Sequence, residues 1–409
     1  MRNRSRGTNP YRATMRACFA GYVVQAAVNN VVPLLLVTFR EEFGLTLAQT
    51  TVLVSLNFLI QLPVDGLSAA FVDKVGYRFS IVLAHVLAAT GFVGLAVLPG
   101  GMALLGCGTM PPVLGDPFAG VLVATMLYAA SGGLIEVLVS PIVEACPGDE
   151  KQAAMSLLHS FYCWGAVGAV LASTGFFSLF GTGSWRVLIV LWALLPLVNG
   201  LAFLRVPMAS LVGEGERPED LRGLACSRTF WVAMGLMLCA GAAEMSVAQW
   251  ASTFAETGLG VSKAVGDLAG PMLFAAAMGA SRVLYSRVAS RFELSRVLAA
   301  SGALCVLGHL VVALSPVAAL AFAGFGVCGL AVGVLWPGTL SLASAAMPRG
   351  GTALFALLAL AGDVGCLAGP AVVGSVAGTA GGVLAMGLLA AAAFPVAVVL
   401  LAGRLRSGA

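Results

Sequence analysis

Apolar stretches long enough to cross a bilayer recur along the whole chain. A transmembrane helix needs about 20 mostly apolar residues. Hydrocarbon offers the backbone no water to bond with, so a spanning segment of this length must be helical. Only 10% of the residues are charged, whereas soluble domains carry about 25%. The sequence therefore predicts an all-α membrane protein with twelve spans. These are residues 14–39, 49–72, 78–99, 117–144, 152–180, 185–205, 229–255, 264–288, 294–314, 317–346, 351–377 and 380–402.

The longest polar interruption, "VPMASLVGEGERPEDLRGLACSR", separates six spans from six. We predict an N-terminal six-helix bundle (1–205), a cytoplasmic linker (206–228) and a C-terminal six-helix bundle (229–409). The first spans of the two halves echo each other in "CFAGYVVQAAVNN" and "LCAGAAEMSVAQW". Repeated halves of this kind are typical of transporters, in which the substrate site lies near the bilayer midplane where the repeats meet.

The positive charges are unevenly distributed among the predicted loops. With a cytoplasmic N-terminus, 19 of the 22 Lys and Arg residues fall in inside segments, and only Arg40, Arg186 and Lys263 fall outside. The positive-inside rule then predicts both termini in the cytoplasm. The Arg-rich, Lys-poor composition favours a bacterial protein, and hence the inner (cytoplasmic) membrane. We predict that the protein does not bind nucleic acid, because the basic residues form no patch for it. We also predict a monomer.

Several function classes lack their usual sequence signals. The nine cysteines are scattered without a CxxC pair, and neither HExxH nor a phosphate-binding glycine loop occurs. His85, His159 and His309 lie on separate spans, so we predict no metal site, and we expect His85 and His309 to be packing residues. No nucleophile cluster points to an enzyme, and the chain has no long soluble module of the kind a receptor or scaffold needs. Protons are the only predicted co-ion, and no cofactor is predicted.

Polar residues inside the spans are the candidate functional residues, because lipid exposure penalises them. The alternative is a hydrogen bond between helices, worth about 0.6 kcal/mol on average. That alternative is preferred for Asn57 and Gln61 and is equally weighted for Asp363. The remaining candidates are Gln25, Asn29 and Asn30 in the first span, Glu136 in the fourth, His159 and Tyr162 in the fifth, Glu244, Gln249 and Trp250 in the seventh, and Trp336 in the tenth.

The loop "AAFVDKVGYR" between the second and third spans resembles the signature of the major facilitator superfamily. Asp73, Lys74, Gly76 and Arg78 match that signature, and Ala69 replaces its first glycine. The resemblance implies a transporter fold of two six-helix bundles. It also implies that these residues serve the conformational cycle more than substrate binding.

Five further segments carry polar and glycine patterns: "NNVVPLLLVTFREEFGLT", "GGLIEVLVSPIVEACPGDE", "HSFYCWGAVG", "GAAEMSVAQW" and "GLAVGVLWPGTLSLA". Together they resemble the fucose:proton symporter-like sugar transporters of that superfamily. The resemblance places Glu136 on that family's glutamate. Pro33 stands where the family has a coupling aspartate, and His159, Tyr162 and Val332 stand at the family's amides. His159 could supply a titrating group, since the reference pKa of histidine is about 6.5.

We therefore predict a secondary active transporter that moves a small polar solute, with a sugar as the expected class, by proton-coupled alternating access. The predicted proton-coupling residues are Glu136, His159, Glu244 and Asp363. The predicted substrate-binding residues are Gln25, Asn29, Asn30, Glu136, His159, Tyr162, Gln249, Trp250 and Trp336. The alternative is a proton-driven exporter of drugs or metabolites. The fifth span lacks the Gly-Pro signature of such antiporters, but "GCLAGPAVVG" in the eleventh keeps the alternative open.

Overall fold

The computed structural model describes residues 10–100, 116–211, 218–262, 265–266, 268–315 and 317–405. Helices account for nearly all of this part of the chain, which confirms the predicted all-α class. Within the described residues, eleven helices are long and apolar enough to cross a membrane. The predicted eighth span, 264–288, is a π-helical turn followed by a shorter helix, and it includes residues outside the described ranges.

We number the spans 1 to 12 in chain order. The first six are span 1 (Arg12–Asn30, the 3-10 turn Val32–Leu35 and Leu36–Phe43), span 2 (Leu47–Val75), span 3 (Tyr77–Val97), span 4 (Pro117–Ala145), span 5 (Lys151–Phe180) and span 6 (the 3-10 turn Thr182–Ser184 and Trp185–Phe203). The short helix Leu221–Cys226 precedes the second six. These are span 7 (Arg228–Ala248 and Ala251–Leu259), span 8 (Leu268–Met272, Leu273–Val288 and the 3-10 turn Ala289–Arg291), span 9 (Leu294–Leu314), span 10 (Ala318–Val332 and Leu335–Ala346), span 11 (Gly351–Thr379) and span 12 (Leu384–Ala391 and Ala393–Ala402).

Backbone contacts divide the chain into two compact units. The first unit comprises Met1–Val64, Phe71–Asp149 and Gly165–Glu214, and the second comprises Asp65–Ala70, Glu150–Trp164 and Gly215–Ala409. The boundary between residues 214 and 215 lies inside the predicted linker. Two pieces of the first half, one from span 2 and one from span 5, belong to the second unit, because their contacts are made there.

The first span of each half is broken at corresponding places. Span 1 is interrupted after Asn30 by a 3-10 turn that contains Pro33. Proline has no N–H to donate to the carbonyl four residues earlier, so Pro33 cannot continue the helical ladder at Asn29. Span 7 ends at Ala248 and resumes at Ala251. Both breaks therefore adjoin the amide-bearing ends of the two echoing segments.

The third span of each half carries a buried histidine in a similar setting. His85 Nδ1 lies 2.7 Å from the carbonyl oxygen of Ile81, and His309 Nδ1 lies 2.9 Å from that of Cys305. The second ring nitrogen of each contacts another helix: His85 Nε2 is 2.8 Å from Asn199 Nδ2, and His309 Nε2 is 3.2 Å from Ser246 Oγ. Both side chains are packed inside the bundle.

Spans 7 and 11 are in intimate contact within the second unit. A Cβ atom added at Gly365 would collide with the backbone of Leu238 and Ala242. Small residues at helix contacts let two backbones approach closely, which is a common way to associate helices in lipid. Helix packing thus explains why a glycine occurs at position 365 of the "GCLAGPAVVG" segment.

Candidate functional site

A row of polar side chains follows one face of span 1 in the first unit. Tyr22, Gln25 and Asn29 have the i, i+3, i+7 spacing that places residues on one helical face. The Tyr22 hydroxyl lies 3.1 Å from Ser140 Oγ on span 4. The three side chains therefore form a polar row that contacts spans 2 and 4, and we describe its three positions, or steps, in chain order.

The middle step brings together two residues predicted from the sequence. Gln25 Nε2 donates a hydrogen bond of 2.6 Å to Glu136 Oε2 on span 4. Gln25 is buried and Glu136 is half-buried. The other amide atom, Gln25 Oε1, is buried and accepts no hydrogen bond from the described residues. Because an amide carries both donors and an acceptor, Gln25 can donate to a carboxylate or accept from a carboxylic acid.

The last step joins span 1 to span 2. Asn29 Oδ1 accepts hydrogen bonds from Asn57 Nδ2 at 3.0 Å and from Gln61 Nε2 at 3.1 Å. Asn57 and Gln61 therefore bond between helices, as predicted. The neighbouring Asn30 donates from Nδ2 to its own helix, at the carbonyl of Ala26. Both asparagines are half-buried beside the break in span 1.

A buried arginine organises the polar residues of the second unit. Arg282 on span 8 donates from Nε to the carbonyl of Gly333, 3.0 Å away, at the break in span 10. Pro337 lies four residues after Gly333 and has no N–H for that carbonyl, so the guanidinium supplies the missing donor. Arg282 Nη1 also donates to the carbonyl of His159 at 3.1 Å and to Cys163 Sγ at 3.0 Å.

The same arginine pairs with a predicted coupling residue. Arg282 Nη2 lies 3.8 Å from Glu244 Oε2 on span 7, and the two side chains are 5% and 19% exposed. Arg282 thus connects Glu244 to the backbone of His159, whose side chain is buried. Tyr162, one turn beyond His159, is half-buried.

Sequence reasoning missed Arg282, because it counted this residue among the cytoplasmic positive charges. The structure corrects that assignment: Arg282 is buried and bonded on several sides. The signal was available, since Arg282 falls inside the predicted span 264–288 and an ionisable residue at such a position is unusual.

The predicted aromatic and acidic residues of the later spans occupy several environments. Trp250 donates from Nε1 to the carbonyl of Pro370 at 3.1 Å and is half-buried, whereas Gln249 is exposed. Trp336 is buried, with its ring against Gly362 on span 11. The carboxyl group of Asp363 lies beside that of Asp65 on span 2. Asp363 therefore lies in a carboxyl pair, apart from the Arg282 contacts described above.

The loop between spans 2 and 3 has a clear structural role. Gly76 has φ +96° between the two helices, a backbone conformation that glycine adopts without a Cβ penalty. Arg78 donates to the carbonyls of Phe203, Leu204 and Val206, at 2.8, 2.7 and 2.8 Å. A cation there satisfies carbonyls left open at the end of span 6. Asp73 and Lys74 are exposed at the end of span 2.

The sequence matches the Major Facilitator Superfamily over residues 17–370. The chain belongs to the Major Facilitator Superfamily. Its members are transporters, so this chain is a multi-pass membrane transporter that acts on small-molecule substrates.

Several solved transporters share the fold. The Major Facilitator Superfamily transporter FucP in the outward conformation matches with a TM-score of 0.82, 17% identity and coverage of 98% of this chain and 100% of that chain. A variant of the E. coli fucose:proton symporter FucP matches with a TM-score of 0.77 and 17% identity, covering 97% of this chain and 100% of that chain. The proton:xylose symporter XylE matches with a TM-score of 0.76 and 14% identity, covering 97% of this chain and 96% of that chain. The TM-scores establish the shared fold, and identities this low leave the substrate open.

Proposed function

We propose that this superfamily member couples proton movement to the transport of a small polar solute of the sugar class. The observation that carries the proposal is the hydrogen bond between Gln25 and Glu136, a carboxyl group inside a transmembrane helix. Such a group is costly in a membrane and marks a substrate or proton pathway. The transport cycle is alternating access, with binding and release and no covalent step.

The chemistry of Gln25 supports a protonation cycle at Glu136. When Glu136 is a carboxylate, the Gln25 amide donates to it. When Glu136 is protonated, its O–H can donate to Gln25 Oε1 after the amide turns over. Both protonation states thus keep a hydrogen bond between Gln25 and Glu136, so the pair stays joined as the proton loads and unloads.

Glu244 has a different environment. Its neighbour is the permanent cation Arg282, whereas Gln25 offers Glu136 a neutral partner. We propose Glu136 as the principal proton carrier. Glu244 and His159 have a secondary part in coupling, because Arg282 links both to the same group of helices. Asp363 exchanges its proton with Asp65 in the carboxyl pair.

The expected substrate class follows from the candidate side chains of each unit, taken separately. Gln25, Asn29 and Asn30 present amides, which bond to hydroxyl groups as donors and acceptors. Tyr162 and Trp250 are half-buried aromatic residues, and such rings can pack on the apolar face of a sugar; buried Trp336 and exposed Gln249 are weaker candidates. The symporters with this fold are named for fucose and xylose, which favours a sugar here as well.

The test is Glu136→Gln in sealed proteoliposomes. We expect proton-driven accumulation to be lost, because an amide cannot load and release a proton. Counterflow exchange should persist at least in part, since it needs no net proton movement. The matched control is Glu41→Gln, the same change at an exposed position of Leu36–Phe43. Accumulation by Glu136→Gln equal to that of the parent protein would show that Glu136 is structural.

The substrate itself is found by a thermal-shift screen of sugars and related polar solutes on the purified protein. A ligand that binds only the folded state raises its apparent stability. A hit then serves as the labelled solute in the proteoliposome assay. If non-sugar solutes stabilise the protein and sugars do not, the sugar class is wrong.

Export receives no support from the span 11 glycines. Gly369, the glycine of the Gly-Pro pair in "GCLAGPAVVG", packs against the backbone of Ala242 on span 7, so helix packing accounts for it. We propose uptake by a monomer in a bacterial inner membrane, with both termini in the cytoplasm and the proton as co-ion.

A further inference from the structure

Two cysteines and a histidine meet inside the second unit. Cys305 and His309 are one turn apart on span 9, and Cys328 lies on span 10; all three are fully buried. His309 Nδ1 lies 3.6 Å from Cys305 Sγ and 3.7 Å from Cys328 Sγ. The three potential ligand atoms all lie within 4.8 Å of one another.

The two sulfur–nitrogen separations are close to those around a coordinated metal. Zinc binds thiolate sulfur at about 2.3 Å and imidazole nitrogen at about 2.0–2.1 Å, so tetrahedral geometry places sulfur and nitrogen about 3.5 Å apart. The two observed sulfur–nitrogen distances are close to that value. An ion that enters this triangle replaces the contact between His309 Nδ1 and the Cys305 carbonyl.

The surroundings of His309 can serve metal binding. His309 Nε2 lies 3.2 Å from Ser246 Oγ, and the Ser246 hydroxyl can donate to the carbonyl of Ala243 at 3.2 Å. Ser246 Oγ is then an acceptor for Nε2–H, which leaves the Nδ1 lone pair for a metal. A metal-bound histidine usually donates its second N–H in this way. In the other tautomer, with the proton on Nδ1, that nitrogen donates to the Cys305 carbonyl 2.9 Å away, so metal binding selects the tautomer with the proton on Nε2.

The ligand types and the net charge of the complex limit which ions can bind. Thiolate and imidazole ligands favour soft ions such as Zn²⁺ and Cu⁺ over Mg²⁺ or Ca²⁺. Two thiolates with Zn²⁺, or one thiolate and one thiol with Cu⁺, form an uncharged complex. A neutral complex avoids the large cost of burying a net charge among apolar helices.

We propose that Cys305, His309 and Cys328 bind a soft metal ion, Zn²⁺ or Cu⁺, inside the second unit. Zn²⁺ breaks two S–H bonds and forms two Zn–S bonds, and both protons pass to solvent; Cu⁺ releases one. Neutral His309 is the third ligand: it binds the ion through Nδ1 and carries its proton on Nε2. The ion fixes span 9 to span 10 and takes no part in solute transport.

The first test measures metal in the full-length protein purified in detergent and incubated separately with Zn²⁺, Cu⁺ or Mg²⁺ and then desalted. We expect about one Zn²⁺ or Cu⁺ per chain and no retained Mg²⁺. Cys305→Ser and Cys328→Ser should each lose the bound ion. The matched control is Cys239→Ser, at a half-buried cysteine of span 7, which should retain it.

A second measurement remains informative if a serine variant folds poorly. Co²⁺ added to the parent protein should give thiolate-to-cobalt charge-transfer absorption, which should be absent from the folded Cys305→Ala variant and present in Cys239→Ser. The proposal is overturned if the parent protein retains no more Zn²⁺ or Cu⁺ than the Cys305→Ala variant. It is equally overturned if thiol titration shows Cys305 and Cys328 joined in a disulfide.

Discussion

At the scale of single residues, Arg282 is a buried cation with hydrogen bonds to several partners. A buried guanidinium is stable only when its donors are bonded and its charge is balanced. The carbonyls of Gly333 and His159 meet the first need, and Glu244 meets the second. The Gly333 carbonyl is open to Arg282 because Pro337, four residues later, has no N–H to donate to it. The position of Arg282 therefore depends on a proline in another helix.

We predict that Arg282→Gln lowers the free energy of unfolding by about 3–5 kcal/mol, because it leaves Glu244 as an uncompensated buried charge. Thermal unfolding in detergent measures the effect. Arg287→Gln, at an exposed position of the same helix, should change the midpoint little.

The double variant with Glu244→Gln identifies the cause. If the Glu244–Arg282 pair matters, the combined loss should be smaller than the sum of the single losses, by about 0.5–3 kcal/mol. Strict additivity would mean that Arg282 acts through its carbonyl bonds alone.

The candidate site was partly predictable at this scale. Gln25 and Glu136 stood out because polar groups in apolar helices are rare, and the structure joins them. Tyr22 and Arg282 were missed as site residues. Their roles depend on which neighbouring helix each side chain faces, and a single helix's sequence does not contain that information.

At the scale of helices, the close approach of spans 7 and 11 gives a sharp prediction. Gly365→Ala should destabilise the protein by about 1–3 kcal/mol, the usual range for overpacking, because the added methyl group meets the backbone of span 7. Gly378→Ala is the matched control on the same helix, where an added Cβ meets no atom within 4 Å. Unfolding midpoints of the two variants should differ clearly; equal midpoints would mean that the helices separate at little cost.

The sequence predicted where helices lie better than where they break. Apolar length fixes each span, so the predicted and observed ranges agree closely for span 3 and span 9. The breaks in spans 1, 7 and 10 were not predicted. Proline lies near two of these breaks, but the break in span 7 contains none, so its sequence carries no comparable signal.

At the scale of the whole molecule, the charge distribution predicts orientation. Reporter fusions at the two ends should both report the cytoplasm. Removing buried Arg282 from the inside count leaves the bias toward that side intact, so the positive-inside argument still holds. Termini found on opposite sides would require an odd number of spans and would contradict the prediction.

The third spans of the two halves each bury a histidine, His85 and His309, at different points along the helix, and this has a wider consequence. A chain made of two related halves holds two copies of each helix, and evolution can change one copy while the other preserves the original packing. His85 has an amide beside it, and His309 has a pair of thiols. New chemistry can therefore arise in one half at low risk to the folding of the other. Comparing what the two copies have become is a direct way to find where such a protein has acquired abilities of its own.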